Sequence, residues 1–394
     1  MKVLQLGKFY PIRGGVEKVM WDLTRGLGAA GVECDMLCAT LPGDVVDYRD
    51  SGFVADAQAP GLPPKTRFVL RFNDKARVIC VPAMKKMAAT MISPAMVGAL
   101  RHMLRMAEKE GGPYDVVHVH HPDPMAAVAL FLSGYRGKVV LHWHSDIVKQ
   151  KGLLKFYLPL QRWLIRRADR IVGTTPVYVA ESEYLAGVQD KVSFLPIGVD
   201  AICPDPAKVS ALRARFPGRK LVFTLGRLVP YKGFSYLVGA AKCLPEDYMV
   251  VIGGQGPLRG PLEETAAQLG VQDRVRFMGW MDDADIATWF GAADVFALSS
   301  VMKTEAFAIV QVEAMSCGTP VVATRIPGSG VSWVNAHEKS GINVPVRDSE
   351  ALAQAIVKVC ENRDLYGPAA KRRFQENFTH DVMIERCKRI YENL

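Results

Sequence analysis

Glu305 and Glu313 stand eight positions apart in KTEAFAIVQVEAMSCGTPVVAT, the stretch from Lys303 to Thr324. Thr304 and Glu305 occupy the expected start of a helix. Ala306 to Met315 is apolar apart from Gln311 and Glu313, which predicts a helix packed inside a domain. At 1.5 Å rise per residue the two carboxylates would lie about 12 Å apart along the axis. Between them would lie unpaired N–H groups and the positive end of the helix dipole, a place for an anion. A sugar nucleotide has this layout, with a charged diphosphate between a hydroxyl-rich sugar and a hydroxyl-rich ribose. A carboxylate suits either end because it accepts paired hydroxyl hydrogen bonds. Dipole complementation would explain one glutamate alone. Two are harder to explain that way, because a charge in so apolar a helix needs a specific partner.

A matching pair of cations lies upstream. Leu221 to Leu225 reads as a buried strand, followed by Gly226-Arg227-Leu228-Val229-Pro230-Tyr231-Lys232-Gly233 and a helix. Arg227 and Lys232 thus leave the carboxyl end of a strand on one loop, as a diphosphate clamp would. A guanidinium suits bidentate oxygens and an ammonium acts as a point charge. An ordinary basic surface loop is the alternative.

Histidines mark the other half. Asp115 to His120 reads as a strand, ending in His120, His121 and Asp123. His118 and His120 would point to one sheet face, and spacing places no fourth metal ligand. A pocket-lining role at the carboxyl end of the strand is expected instead. Val139 to Trp143 is the next strand, ending in His144. The first strand, Val3 to Leu6, runs into a loop closing on Gly14 and Gly15 before a helix from Val16, so backbone amides can approach a ligand there. Gly253-Gly254-Gln255-Gly256 looks like a dinucleotide turn without the full glycine spacing. Asp282, Asp283 and Asp285 read as helix-capping acids, not a metal-binding DxD pair.

These motifs need strands that alternate with helices, an α/β chain with parallel sheets. Ile171 to Thr174 and Val192 to Leu195 continue the first sheet, and a Pro-rich turn near residue 205 marks a boundary. Residues from about 41 to 80, with Pro60, Gly61, Pro63 and Pro64, read as an irregular insertion.

The stretch around Glu305 resembles the E-x7-E signature of the retaining glycosyltransferases of family 4, and Gly226–Gly233 resembles that family's GRLxxxKG segment. Where the commoner family form has glycines around the Phe, Ala306 and Ala308 flank Phe307 here. The resemblance implies the GT-B fold: two facing Rossmann-like domains, with a C-terminal helix crossing back to the first. It places an acceptor-side domain over 1–205, a donor domain over 206–378 and the returning helix over 379–394. It further implies that Glu305 holds sugar hydroxyls and Glu313 the ribose. The amides of Phe307, Ala308, Ile309 and Val310 would meet the diphosphate, and Arg227 and Lys232 would grip it. Gly14, Gly15 and Gly254 fall on the donor, and His144 matches the histidine that reaches the transferred sugar. The implied reaction is front-face displacement of a hexose, with GDP-mannose favoured over UDP-hexoses, onto a glycan or lipid-linked acceptor in cell-surface polysaccharide synthesis. Neither metal nor cofactor is expected. A sugar-nucleotide 2-epimerase or hydrolase of the same fold is one rival, and a non-enzymatic basic membrane- or polyanion-binding protein is another.

At 394 residues, 49% hydrophobic and 23% charged, the chain is of ordinary globular composition and long enough for two cores. Its eight scattered cysteines suggest reduced thiols, and no apolar run is long enough to span a bilayer, so a cytoplasmic protein is expected. The charge of +9 concentrates before residue 172, notably from Lys149 to Arg170, where Phe156, Tyr157 and Trp163 interleave. Such a face suits the anionic inner surface of a plasma membrane, while nothing resembles a nucleic-acid module.

Overall fold

The computed structural model describes residues 1–12, 14–44, 53–55, 61–87, 90–147 and 151–394. Pro60 and Lys149, singled out above, lie outside the described residues. The chain forms two compact units, Met1–Ile197 with His380–Leu394, and Gly198–Thr379. The division falls at Ile197/Gly198 rather than near 205. The connecting segment belongs with the second unit, because Val199 bridges Thr379 and the Ile202 N–H donates to Ser316 Oγ at 3.1 Å.

In the first unit the strands are β1 (Lys2–Phe9), β2 (Glu33–Thr40), β3 (Phe53–Ala55), β4 (Phe68–Arg71), β5 (Ala76–Pro82), the hairpin β6 (Lys85–Met87) and β7 (Thr90–Ile92), β8 (Val116–His121), β9 (Lys138–Trp143), β10 (Arg170–Gly173) and β11 (Val192–Phe194). The main sheet runs β11-β10-β9-β8-β1-β2-β5-β4-β3 and is parallel except that β4 runs antiparallel to both β5 and β3. Helices cover its faces, so its strands are apolar runs rather than alternating ones. The stretch read as an irregular insertion instead supplies β3, β4 and β5, which widen this sheet. Gly61, Pro63 and Pro64 sit in a connecting loop, and the turn residues hid the apolar runs FVLR and ARVICVP. The final helix, His380–Glu392, packs on the same unit, with Ile384 against Gly26.

The second unit has β12 (Lys220–Leu225), β13 (Tyr248–Gly253), β14 (Val275–Gly279), β15 (Val295–Leu298), β16 (Val321–Arg325) and β17 (Gly341–Pro345). All pair in parallel in the order β14-β13-β12-β15-β16-β17. The order reverses between β12 and β15, and open parallel sheets bind ligands at the carboxyl ends beside such a reversal. The buried helix between β15 and β16 begins at Ile309, not at Glu305. Ala308 takes a left-handed φ of 59°, and the Glu305 N–H closes a turn onto Met302 O at 2.9 Å. The helical spacing of Glu305 from Glu313 therefore does not hold, since residues 305–308 form a bend.

Candidate active site

The reversal point of the second sheet holds an ion pair. Lys232 ends the short 3-10 turn Pro230–Lys232 after β12, and Glu305 lies on the loop after β15. Lys232 Nζ is 2.5 Å from Glu305 Oε2, and the side chains are 12% and 11% exposed. Ser300 Oγ donates to the same oxygen at 2.9 Å. Backbone contacts stitch the two loops together: Val301 N–H donates to Tyr231 O at 2.8 Å, and Ser299 Oγ to Lys232 O at 3.0 Å. From the other side Ser329 Oγ donates to the Glu305 carbonyl, and Gly330 N–H to Ala306 O at 2.9 Å. The carboxylate is thus held by Lys232 and Ser300, and the backbone that carries it by the loop of Ser329 and Gly330. A mostly buried charge needs such fixed partners.

Arg227, on the same loop as Lys232, is exposed, and the Lys232 stem runs past Gly226. Glu313 is half-exposed on the helix, with Ile309 and Val310 at its first two positions, where N–H groups have no intrahelical acceptor. Phe307 turns inward and meets Phe378 edge-on at 5.9 Å, so a ligand could reach that residue through its backbone. Gly254 has a φ of 118°, and a Cβ there would overlap the Gly226 carbonyl oxygen. Its neighbours continue the contact, with Gly226 N–H donating to Gly253 O at 3.1 Å and Leu228 N–H to Gln255 O at 2.9 Å. Close packing of two loops therefore requires the glycine, whatever binds nearby.

In the first unit, parallel pairing places Gln5 beside His118 and His120 beside His142. Alternation along the strands then puts Gln5, His118, His120, His142 and His144 on one face. The histidines stack, with ring centroids 4.7 Å apart for His118–His120 and 3.9 Å for His142–His144. Burial holds His118, His120 and His144 well below the ordinary histidine range and takes His142 to about 3. The rings are therefore neutral at neutral pH. Ring nitrogens of His118, His120 and His142 lie within 4.8 Å of one another. Their planes differ by only 12–28°, so the in-plane lone pairs run side by side instead of converging on one ion. His121 faces the other way, stacked on Trp143 at 3.8 Å. Asp123, expected to line a pocket, instead caps helix Pro124–Ser133 through the Met125 and Ala126 amides and accepts from Lys8 N–H.

Gly14 is the extended N-cap of helix Gly15–Ala29. Sequence reasoning missed Ser300, Gln5 and Tyr391. The one available signal was Gln5 itself, a lone amide inside the otherwise apolar strand VLQLG.

Two Rossmann-like units, each built on a mainly parallel sheet, have the make-up of the GT-B class, and the family matches make this chain a glycosyltransferase. Residues 14–198 match the family model "Glycosyl transferase 4-like domain" and 211–379 match "Glycosyl transferases group 1". The chain belongs to family 4 of the glycosyltransferases. It is 31% identical to O-antigen chain mannosyltransferase C of Escherichia coli, over 100% of this chain and 99% of that one. It is 30% identical to the D-rhamnosyltransferase WbpZ of Pseudomonas aeruginosa, over 96% and 92%. Among solved structures, Anabaena HepE in complex with UDP superposes with a TM-score of 0.73 at 20% identity, covering 100% of both chains. That likeness concerns the fold.

Proposed function

We propose that this enzyme transfers mannose, with retention, from GDP-mannose to a hydroxyl of a glycan or lipid-linked acceptor in cell-surface polysaccharide synthesis. The observation that carries the reading is the Lys232–Glu305 pair at the reversal of the second sheet. The mannosyl- and rhamnosyltransferases among its relatives favour the sugar and the pathway. In the proposed reaction the bond from the sugar anomeric carbon to the phosphate oxygen breaks as the acceptor oxygen bonds to the same face. The acceptor proton passes to the departing phosphate. Arg227, Lys232 and the Ile309 and Val310 amides meet the charge that grows there. Ser300 and Lys232 both engage Glu305 Oε2, leaving Oε1 for sugar hydroxyls. No divalent metal is required. Incubation with GDP-mannose, UDP-glucose and UDP-galactose in turn, with the product anomer read by NMR, tests donor and stereochemistry together. A product of inverted configuration would overturn the reading.

The two glutamates divide the donor between them. Glu313→Ala is expected to weaken free GDP by about tenfold or more, the worth of a hydrogen bond to a charged group. Glu305→Ala is expected to impair transfer while leaving GDP affinity nearly unchanged. Calorimetric titration of both variants checks this, and equal losses of GDP affinity would sink the division.

We further propose peripheral contact with the anionic inner face of the plasma membrane. Among the described residues no helix is long and apolar enough to cross a membrane. Helix Lys151–Arg167 exposes Lys155, Phe156, Arg162 and Arg166, and Phe156 is 87% exposed. Beside it Phe131, 53% exposed, meets Trp163 edge-on at 4.9 Å. Basic residues near such a surface contribute about 1 kcal/mol each and are screened by salt. Sedimentation with phosphatidylserine-containing vesicles should therefore fall steeply as salt rises, and Phe156→Ser should weaken it further. Binding indifferent to lipid charge and salt would refute the contact.

A further inference from the structure

The histidine face carries a directed hydrogen-bond chain that ends on the last helix. Tyr391, buried, places its hydroxyl oxygen 2.6 Å from His118 Nδ1. The same oxygen accepts from Gln5 Nε2 at 3.1 Å. Gln5 thereby turns its carbonyl, Oε1, toward His120, whose Nε2 lies 2.7 Å away and must donate to it. A neutral imidazole has one proton, so His120 Nδ1 can then only accept. His144 Nε2, 2.9 Å from that atom, must be the donor. Each bond sets the sense of the next, and the tautomer of His144 follows from an amide and a phenol that it does not touch.

We propose that Tyr391, Gln5 and His120 are positioning residues that hold His144 as its Nε2–H tautomer and present its Nδ1 lone pair to a substrate hydroxyl. The catalytic part of this proposal rests on His144 facing the transferred sugar; the tautomer part does not. All four side chains are at least nine-tenths buried, so water competes poorly for these bonds. The Nδ1 lone pair can accept a hydrogen bond from a sugar hydroxyl, which the other tautomer would meet with a second donor hydrogen. The arrangement explains why a helix at the far end of the chain brings a tyrosine to this sheet. The bond from Gln5 to Tyr391 spans 386 residues of sequence.

The test is long-range 15N–1H NMR of the full chain labelled on histidine, with the His144 signals assigned by their loss in His144→Gln. The wild type is expected to show His144 protonated at Nε2. Tyr391→Phe removes one hydroxyl with little change of shape, and Gln5→Leu removes the amide. Both are expected to give His144 as a mixture of tautomers. Both should lower kcat by about ten- to a hundredfold, the range for losing an outer partner that orients a functional histidine, with KM for the donor within twofold. Gln5→Glu, which keeps an acceptor for His120, should restore much of the single tautomer. Protonation at Nδ1 in the wild type would reverse every bond of the chain and overturn the assignment. An unchanged single tautomer in Tyr391→Phe and Gln5→Leu would overturn the relay. A rise in KM without a fall in kcat would reduce these residues to structural support and overturn the positioning role. Full transfer by His144→Gln would instead refute the reading on which the catalytic part rests, a failure distinguishable from all of these.

Discussion

Lys232→Ala and Arg227→Ala are each expected to lower transfer by about a hundred- to a thousandfold, the range for losing one preorganised donor at a developing charge. The same assays are expected to run undiminished in excess EDTA. A departing diphosphate needs positive charge beside it, and the proposed reaction draws that charge from the Arg227–Lys232 loop in place of a metal. Asp282 is used as the N-cap of helix Asp283–Ala292, where it accepts from the Asp285 amide at 2.7 Å. Lys232 is the more demanding case because it also neutralises Glu305. Its loss leaves the carboxylate with Ser300 as hydroxyl donor, so a lower melting temperature should accompany the lost rate. Arg227 is exposed, and its removal should cost rate with little stability. The contrast between the two variants separates clamp from scaffold. An absolute requirement for Mg²⁺ or Mn²⁺, with both variants still active, would show that other groups hold the diphosphate.

Gly254→Ala is expected to destabilise the second unit by about 3 kcal/mol or more, combining a backbone conformation that L-residues avoid with an overlap that only backbone movement relieves. The atom in the way is the Gly226 carbonyl oxygen, and Gly226 precedes Arg227. Donor affinity should therefore fall along with the urea midpoint. Gly14→Ala is the informative partner. Gly14 is extended, at φ −158°, and the nearest obstacle to a Cβ is the Glu17 carboxylate at 2.8 Å, the end of a flexible side chain. That change should leave the urea midpoint within about 0.5 kcal/mol, as substitutions away from packed or strained positions do. Any effect on transfer would then report the approach of a ligand to the loop. A Gly254→Ala protein as stable as wild type would mean that the loop packs differently.

Most of the parallel strands were legible because each is a short apolar run closed by glycine, proline or a cap residue, as in LVFTLG and YMVVIGG; β17 was not among those read. Arg227 and Lys232 were singled out for a related reason, as charged residues just past such a run, whereas Glu305 was singled out by its spacing from Glu313 in an otherwise apolar stretch. What local pattern could not carry was who meets whom. Lys232 and Glu305 were read as gripping different parts of a ligand, yet they pair with each other because β12 and β15 are neighbours in the sheet. The helix start moved to Ile309 because a left-handed Ala308 leaves no mark in a periodicity. Strands β3 to β5 escaped notice behind proline-containing loops, since a strand at the side of a sheet is defined by its partner as much as by its composition. The chain from Tyr391 to His144 was beyond sequence altogether. Residues at the two ends of the polypeptide become neighbours only when the last helix packs on the first sheet, and hydrogen-bond direction is a property of that packing.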